Sequence, residues 1–152
     1  MQVRTKNQLL DDVYVQEVDL SEVEVIKPVN KKLFGEDRII NDFNKKDLII
    51  LAAYTEDVIT GFKIGYGIGG TTFYSAKSGV LTGYRRNGIA TKLLYRMILE
   101  VKKRGYKNLV YDTFPSRFPG MMDLGLKEGF KSISEKWNEA YKDTQIRMKL
   151  KL

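Results

Sequence analysis

Apolar and polar residues alternate over residues 12–18, DVYVQEV, as a half-buried strand requires. Ser21 stands three residues before Glu24, the spacing of a capping box, and predicts a helix running to about Phe34 with Pro28 inside it. Ile39, Ile40 and Phe43 would share one face of a second short helix over Glu36 to Asn44. From Asp47 the character changes: LIILAAY, VITGFKIGYGI and TFYSAKSGVLT, separated by Thr55-Glu56-Asp57 and by a glycine-rich stretch, read as three strands of an antiparallel meander. Ile89, Leu93, Leu94, Met97, Ile98 and Val101 then recur at helical spacing over about Asn87 to Arg104, and Gly105 closes that helix. Lys107 to Thr113 reads as a strand and Arg117 to Glu128 as a helix stopped by Gly129. Phe130 to Lys136 and Thr144 to Leu152 read as two closing strands. The resulting order, β-α-α-β-β-β-α-β-α-β-β, predicts a mixed α/β sheet.

The 152 residues suit one domain, and no linker, low-complexity segment or solenoid repeat interrupts them. The chain has no Cys and no His. That excludes disulfides, thiolate nucleophiles, Ser-His-Asp catalysis and the commonest metal sites, so no metal is expected. Chemistry here must come from Asp, Glu, Tyr, Ser, Thr, Lys, Arg, the backbone or a bound cofactor. Lys and Arg outnumber Asp and Glu by 26 to 19, a net charge of +7. This favours an anionic partner, such as a phosphorylated cofactor, nucleic acid or a membrane surface, without choosing among them. No RNA- or DNA-binding motif with interleaved aromatics is present, so nucleic acid is not expected as the partner. The longest apolar run, Leu48 to Tyr54, is far short of a membrane span, and MQVRTKNQLLDD lacks the apolar core of a signal peptide. A cytoplasmic protein with no membrane partner is expected.

Two glycine motifs invite a phosphate-binding reading. Gly65-Tyr66-Gly67-Ile68-Gly69-Gly70 matches G-x-G-x-x-G, but the residues that follow, TTFYSAKSGV, are β-branched and aromatic and do not open a helix. It reads as a hairpin turn in which glycine supplies positive φ angles. Arg85-Arg86-Asn87-Gly88-Ile89-Ala90 does stand between a strand and the strongest helix of the chain. A helix N-terminus offers unpaired N–H groups and the positive end of the dipole, and small residues at 88 and 90 let a phosphate approach them.

This second motif, with what precedes and follows it, resembles the GNAT superfamily of acyl-CoA-dependent N-acyltransferases. The family's phosphate loop is [Q/R]-x-x-G-x-[G/A] after a V-x-P-x-Y-R-like strand end. Val80-Leu81-Thr82-Gly83-Tyr84-Arg85-Arg86-Asn87-Gly88-Ile89-Ala90 fits it, with Thr82 in place of the usual Pro. Leu126-Lys127-Glu128-Gly129-Phe130 looks like the family's helix end and following G-F strand start, and the element order agrees over residues 12 to 152. The resemblance implies a largely antiparallel mixed sheet flanked by helices, with a splayed parallel pair, 73–82 and 107–113, that binds coenzyme A. The diphosphate of acetyl-CoA would then rest on N–H groups from Arg86 through Thr91. Its pantetheine arm would pair with the backbone of Val80, Leu81 and Thr82, as an added strand does. The N–H of Leu81 would meet the oxyanion. Arg117 and Lys127 are both open as partners of the 3′-phosphate.

The chain also departs from the family pattern. No carboxylate occurs from Phe73 to Thr82, where many relatives carry a Glu base, and Gly125 stands where many carry a Tyr acid, four residues before Gly129. A thiolate leaving unprotonated at pH 7 costs about 2 kcal/mol, which water, Tyr74 or Tyr111 could offset. Asp112 near the end of its strand is the base candidate, against the alternative of a solvated strand-end carboxylate. Ser116 replaces a usual Asn, as a helix N-cap. Tyr74, Tyr111 and Trp137 are candidates to line the acceptor site, or core. The resemblance thus implies direct acetyl transfer from acetyl-CoA to a primary amine of a small molecule or peptide, by a chain able to form a homodimer. The alternative is a CoA-binding sensor or partner protein without activity.

Overall fold

The computed structural model describes residues 12–85 and 87–152. Seven strands form one sheet in the order β1-β2-β3-β4-β5-β7-β6. They are β1 (Val13–Glu17), β2 (Ile49–Thr55), β3 (Val58–Gly67), β4 (Thr72–Val80), β5 (Asn108–Thr113), β6 (Lys131–Asn138) and β7 (Asp143–Lys151). Three α-helices are described, α1 (Lys27–Phe34), α2 (Ile89–Lys103) and α3 (Pro119–Lys127). Every neighbouring pair runs antiparallel except β4 and β5, so the mixed, largely antiparallel architecture is the one the pattern predicts.

Strand pleating divides the core between the two faces of the sheet. Ile49, Leu51 and Ala53 of β2 pack with Phe73 and with Ile89, Leu93, Leu94, Met97 and Val101 of α2. Ile50 and Ala52 turn the other way, with Phe62, Ile64, Ile26 and Val29. Because β2 is buried on both faces, LIILAAY is continuously apolar rather than alternating.

Three expectations are corrected. The first helix is divided: residues Leu20–Ile26 form a 3-10 helix capped by Asp19, not Ser21, and α1 follows with Pro28 in its first turn. The Asp19 carboxylate accepts the Ser21 N–H and hydroxyl at 2.9 and 2.8 Å, and Pro28 falls where no helical N–H bond is needed. The second short helix, over Glu36 to Asn44, does not form. Asn30 of α1 instead donates to the carbonyls of Glu36 and Arg38 at 2.9 and 3.2 Å, which removes them from a helical ladder. Ile39 still reaches the core on that face. Finally, Gly65–Gly70 does join β3 to β4 as a hairpin, but none of its glycines has positive φ. Two of them are needed for space: a Cβ on Gly65 would lie 2.5 Å from the Tyr74 carbonyl, and one on Gly67 would collide with the Tyr106 hydroxyl, whereas Gly69 and Gly70 face open space.

Space also explains Gly125. The Tyr111 hydroxyl of β5 donates to the Met121 carbonyl of α3 at 2.7 Å, and its ring packs edge-on against Phe130. A Cβ on Gly125 would overlap that hydroxyl. Gly125→Ala should therefore destabilise the fold by about 1–3 kcal/mol, and by clearly less in a Tyr111→Phe background, where the colliding atom is gone. Urea denaturation of the double-mutant cycle measures the coupling; simple additivity would refute the collision.

Lys63 is the anomaly of β3. Its strand neighbours are Leu51 and Ser78, it is 4% exposed, and it makes no hydrogen bond or ion pair with any described residue. Burial alone lowers its ammonium from 10.5 to about 8. Between those values the unfolded chain holds a proton that the folded chain has lost, so the folded state gains stability as pH rises from 8 towards 10.5. Below pH 8 the full cost of the buried charge is present, on the order of 3 kcal/mol. Lys63→Met should raise stability at pH 7 by about 1–3 kcal/mol, and its advantage over the parent should shrink through that window. A pH-independent difference in denaturation free energy would refute this.

Candidate active site

The parallel pairing of β4 with β5 is short. Thr72, Phe73, Tyr74 and Ser75 face Asn108, Leu109, Val110 and Tyr111, and there it stops. Beyond Ser75, β4 continues to Val80 against β3 alone, and beyond Tyr111, β5 continues to Thr113 against β7 alone. The splayed parallel pair expected from the resemblance is thus present, although β4 ends at Val80 and Thr82–Tyr84 is a 3-10 turn. The Leu81 and Thr82 carbonyls already accept the N–H groups of Tyr84 and Arg85, so Thr82 offers no strand edge.

The Leu81 N–H donates to the Thr60 carbonyl of β3 at 2.8 Å, which corrects its expected role at the oxyanion. Since N–H directions alternate along a strand, the Val80 N–H is turned to the open side. The Val80 carbonyl accepts Arg85 Nε at 3.0 Å, so Arg85 is folded back onto the strand edge.

At the mouth of the wedge, Gly88 is the N-cap of α2, with φ 78° and ψ 8°, and no side chain caps the helix. The Lys92 N–H makes the first helical bond, to the Gly88 carbonyl at 3.0 Å. This leaves the N–H groups of Ile89, Ala90 and Thr91 without helical partners. Asn87 pins the turn through Nδ2 to the Tyr84 carbonyl at 3.3 Å. Ile89 is buried against β3, where a Cβ on Gly61 would lie 3.4 Å from its methyl and 3.3 Å from Val80. Val80, Leu81, Arg85 and Asn87 to Thr91 are therefore drawn together as the motif predicts; Arg86 lies outside the described residues.

Across the wedge, Asp112 sits on β5 just past the divergence, on the face opposite α2. It is not a solvated strand-end carboxylate. Arg147 of β7 grips it with Nε and Nη2 at 2.8 and 3.0 Å, and the Tyr74 hydroxyl donates to it at 3.2 Å. The carboxylate raises the Arg147 pKa above its ordinary value, chiefly by hydrogen bonding. Burial, with the Asp112 charge second, drives the Tyr74 phenol well up, so it stays protonated. Arg147 also lies over the Tyr74 ring, 5.4 Å from its centre.

Ser116 is corrected. Phe118, not Ser116, is the α3 N-cap, and Ser116 donates to the Asp143 carboxylate at 2.6–2.7 Å. That bond holds Asp143 below the usual carboxylate range. Arg117 is likewise engaged, donating to the Tyr141 carbonyl at 2.7 Å. Tyr111 is buried in the core and Trp137 is exposed on β6, so of the three aromatic candidates only Tyr74 stands with Asp112. Sequence reasoning missed Arg147, whose place depends on the β5–β7 register. Among the described residues no cluster of Asp and Glu could hold a metal ion, and no helix is long and apolar enough to cross a membrane.

Known proteins share this fold. The chain superposes on a GNAT family acetyltransferase from Elizabethkingia anophelis with acetyl-CoA bound, with a TM-score of 0.71 and 18% identity over 93% of this chain and 99% of that one. The yncA protein of Salmonella typhimurium with acetyl-CoA gives 0.72 and 17% over 93% and 94%. Ard1 from Thermoplasma volcanium gives 0.77 and 11% over 93% and 98%. A search of curated protein sequences found no significant match. The family model for the acetyltransferase (GNAT) family matches residues 15–122, which takes in the meander, the wedge, all of α2 and β5. The chain belongs to the GNAT acetyltransferase family.

Proposed function

We propose that the protein transfers an acetyl group from acetyl-CoA to a primary amine. The observation that carries this reading is the uncapped N-terminus of α2 opening onto the free edge of β4. The residues present fit the co-substrate: the N–H groups of Ile89, Ala90 and Thr91 can hold a diphosphate, and the open edge at Val80 can pair with an amide-bearing arm. Acetyl-CoA supplies an acetyl group activated as a thioester. A main-chain N–H on the open edge of β4, fixed in the strand, is the donor for the carbonyl oxygen, and a fixed donor needs no reorganisation as charge develops.

The acceptor side is the face that carries Tyr74, Asp112 and Arg147. A free amine is mostly protonated at neutral pH and must lose a proton before it attacks. Asp112 is the carboxylate that β5 carries past the divergence, and Tyr74 and Arg147 fix its orientation. In this reading it binds the acceptor ammonium and takes its proton, directly or through water. The same Arg147 grip favours a second reading, a protein that binds CoA without turnover, because both Asp112 oxygens are already engaged by Arg147 and Tyr74.

Thermal melting separates these readings from their failure. Acetyl-CoA at about 100 times its dissociation constant should stabilise the fold by about 2.7 kcal/mol, a rise of about 5–11 °C, while NAD and a short oligonucleotide should not. No rise at saturating acetyl-CoA would overturn both. Gly88→Ala, forced into a left-handed conformation, should weaken acetyl-CoA binding several-fold in the same assay.

An amine screen that follows thiol release then tests catalysis. With an acceptor in hand, Asp112→Asn should lower kcat by about 10²-fold with little change in acetyl-CoA binding. Full transfer by Asp112→Asn at every pH would remove Asp112 from the mechanism, and binding with no turnover for any amine would leave the second reading.

A further inference from the structure

The sheet face that carries Asp112 also carries a concave, positively charged site. Side chains alternate along a strand, so the register puts Val110 and Asp112 of β5 on one face with Arg147 and Lys149 of β7 and Lys131 of β6. A cavity of about 300 Å³ opens there, lined by Ile68, Thr72, Val110, Ile133, Arg147 and Lys149 among others. Its charged groups are both cations. Lys149 is half-buried and makes no hydrogen bond or ion pair with any described residue. Arg147 uses Nε and Nη2 on Asp112, and its Nη1 makes no hydrogen bond with any described residue. Lys131 stands directly opposite Lys149, and like charges so placed repel. The carboxylates that β5 and β7 bring to this face are held elsewhere, Asp112 by Arg147 and Tyr74, and Asp143 by Ser116 and Arg117. Glu135 of β6, opposite Ile146, falls on the other face. Cations gathered round a hollow, with the neighbouring carboxylates already taken, favour an anion within it.

Arg147 belongs both to this cavity and to the Asp112 pair. Asp112 stands directly opposite Arg147, and Lys149 is its diagonal neighbour, a Cα separation of about 7–8 Å. A short molecule whose ammonium rests on Asp112 therefore runs along Val110, and a negative group at its other end meets Lys149 and the free Nη1 of Arg147. Val110 and Ile133 give its methylene groups an apolar wall. The volume is that of a small-molecule site.

We propose that this cavity holds the carboxylate of the acceptor, so that the substrate is a small amine that also carries a carboxylate, and that Lys149 selects it. This rests on the acetyl-transfer reading above and names the acceptor class which that reading leaves open. In the filled site the charges alternate: Lys149, the acceptor carboxylate, Arg147, Asp112 and the acceptor ammonium. The hydrogen bonds from Lys149 and Arg147 to the carboxylate are charge-assisted, and the partial burial of Lys149 reduces their screening by solvent.

The probes are γ-aminobutyrate and its longer ω-amino acid homologues, each set beside the alkylamine of equal chain length, whose amine is of similar basicity. With CoA bound, the amino acids should shift the backbone NMR signals of Thr72, Ile133 and Lys149, and the alkylamines should not. Lys149→Met should abolish these shifts, and Lys149→Arg should keep them. With acetyl-CoA, thiol release should give the amino acids a kcat/KM about tenfold or more above the alkylamines, a preference expressed in KM and lost in Lys149→Met. Absence of the shifts, equal shifts with the alkylamines, or a preference that survives Lys149→Met would overturn the inference. Alkylamines acetylated as well as the amino acids would also overturn it, and would leave the acetyl-transfer reading standing. If no amine releases thiol, that reading falls and the inference falls with it.

Discussion

Everything distinctive about this chain follows from parallel pairing that stops after four residues. Once Ser75 has met Tyr111, β4 is committed to β3 and β5 to β7, and the two parallel strands cannot rejoin without breaking an antiparallel ladder on their outer sides. The cleft is therefore held open by hydrogen bonds made elsewhere. α2 connects the two strands and is fixed at its start by Ile89 beneath β3, where Gly61 leaves room for it. The uncapped end of the helix is thereby set at the mouth of the cleft with no flexible side chain needed to place it. A site built from main-chain donors tolerates replacement of nearly every side chain around it, which is consistent with relatives of 11–18% identity keeping the same fold.

The partly buried cations show how the protein provides for such charges. Lys77 lies on the face of β4 opposite Lys63's, and it is fully provided for. Its ammonium donates to Glu36 at 3.1 Å and to the Arg38 carbonyl at 3.0 Å, and it sits 4.3 Å from the centre of the Phe34 ring. Glu36 is held below its ordinary pKa by that contact. Arg147 is likewise paired, with Asp112. Lys63 differs from these: it is buried on the face that α2 covers and makes no ion pair with any described residue.

Much of the fold was legible because the strongest signals were periodic. The α2 heptad-like spacing and the three meander strands depend on local patterns that tertiary structure had no reason to override. The region from Ser21 to Asn44 was less legible, since the side chain of Asn30 captures carbonyls that the pattern assigned to a helix. The cofactor side of the site was readable because Gly88 and the helix after it are contiguous in sequence. The acceptor side was not, because Asp112 and Arg147 meet only through the β5–β7 register, 35 residues apart. The Leu81 N–H was misassigned for a related reason: which way an N–H points along β4 depends on its pairing with β3, and a motif carries no register.

Gly125 joins these strands of reasoning. Read as a gap in a family pattern, it suggests a protein that has lost its proton donor. In the structure it is a consequence of Tyr111, whose hydroxyl takes the space of a side chain at 125 and is itself held by Met121. With its phenol raised to about 12 by burial and its proton committed to a carbonyl, Tyr111 is a packing element rather than an acid.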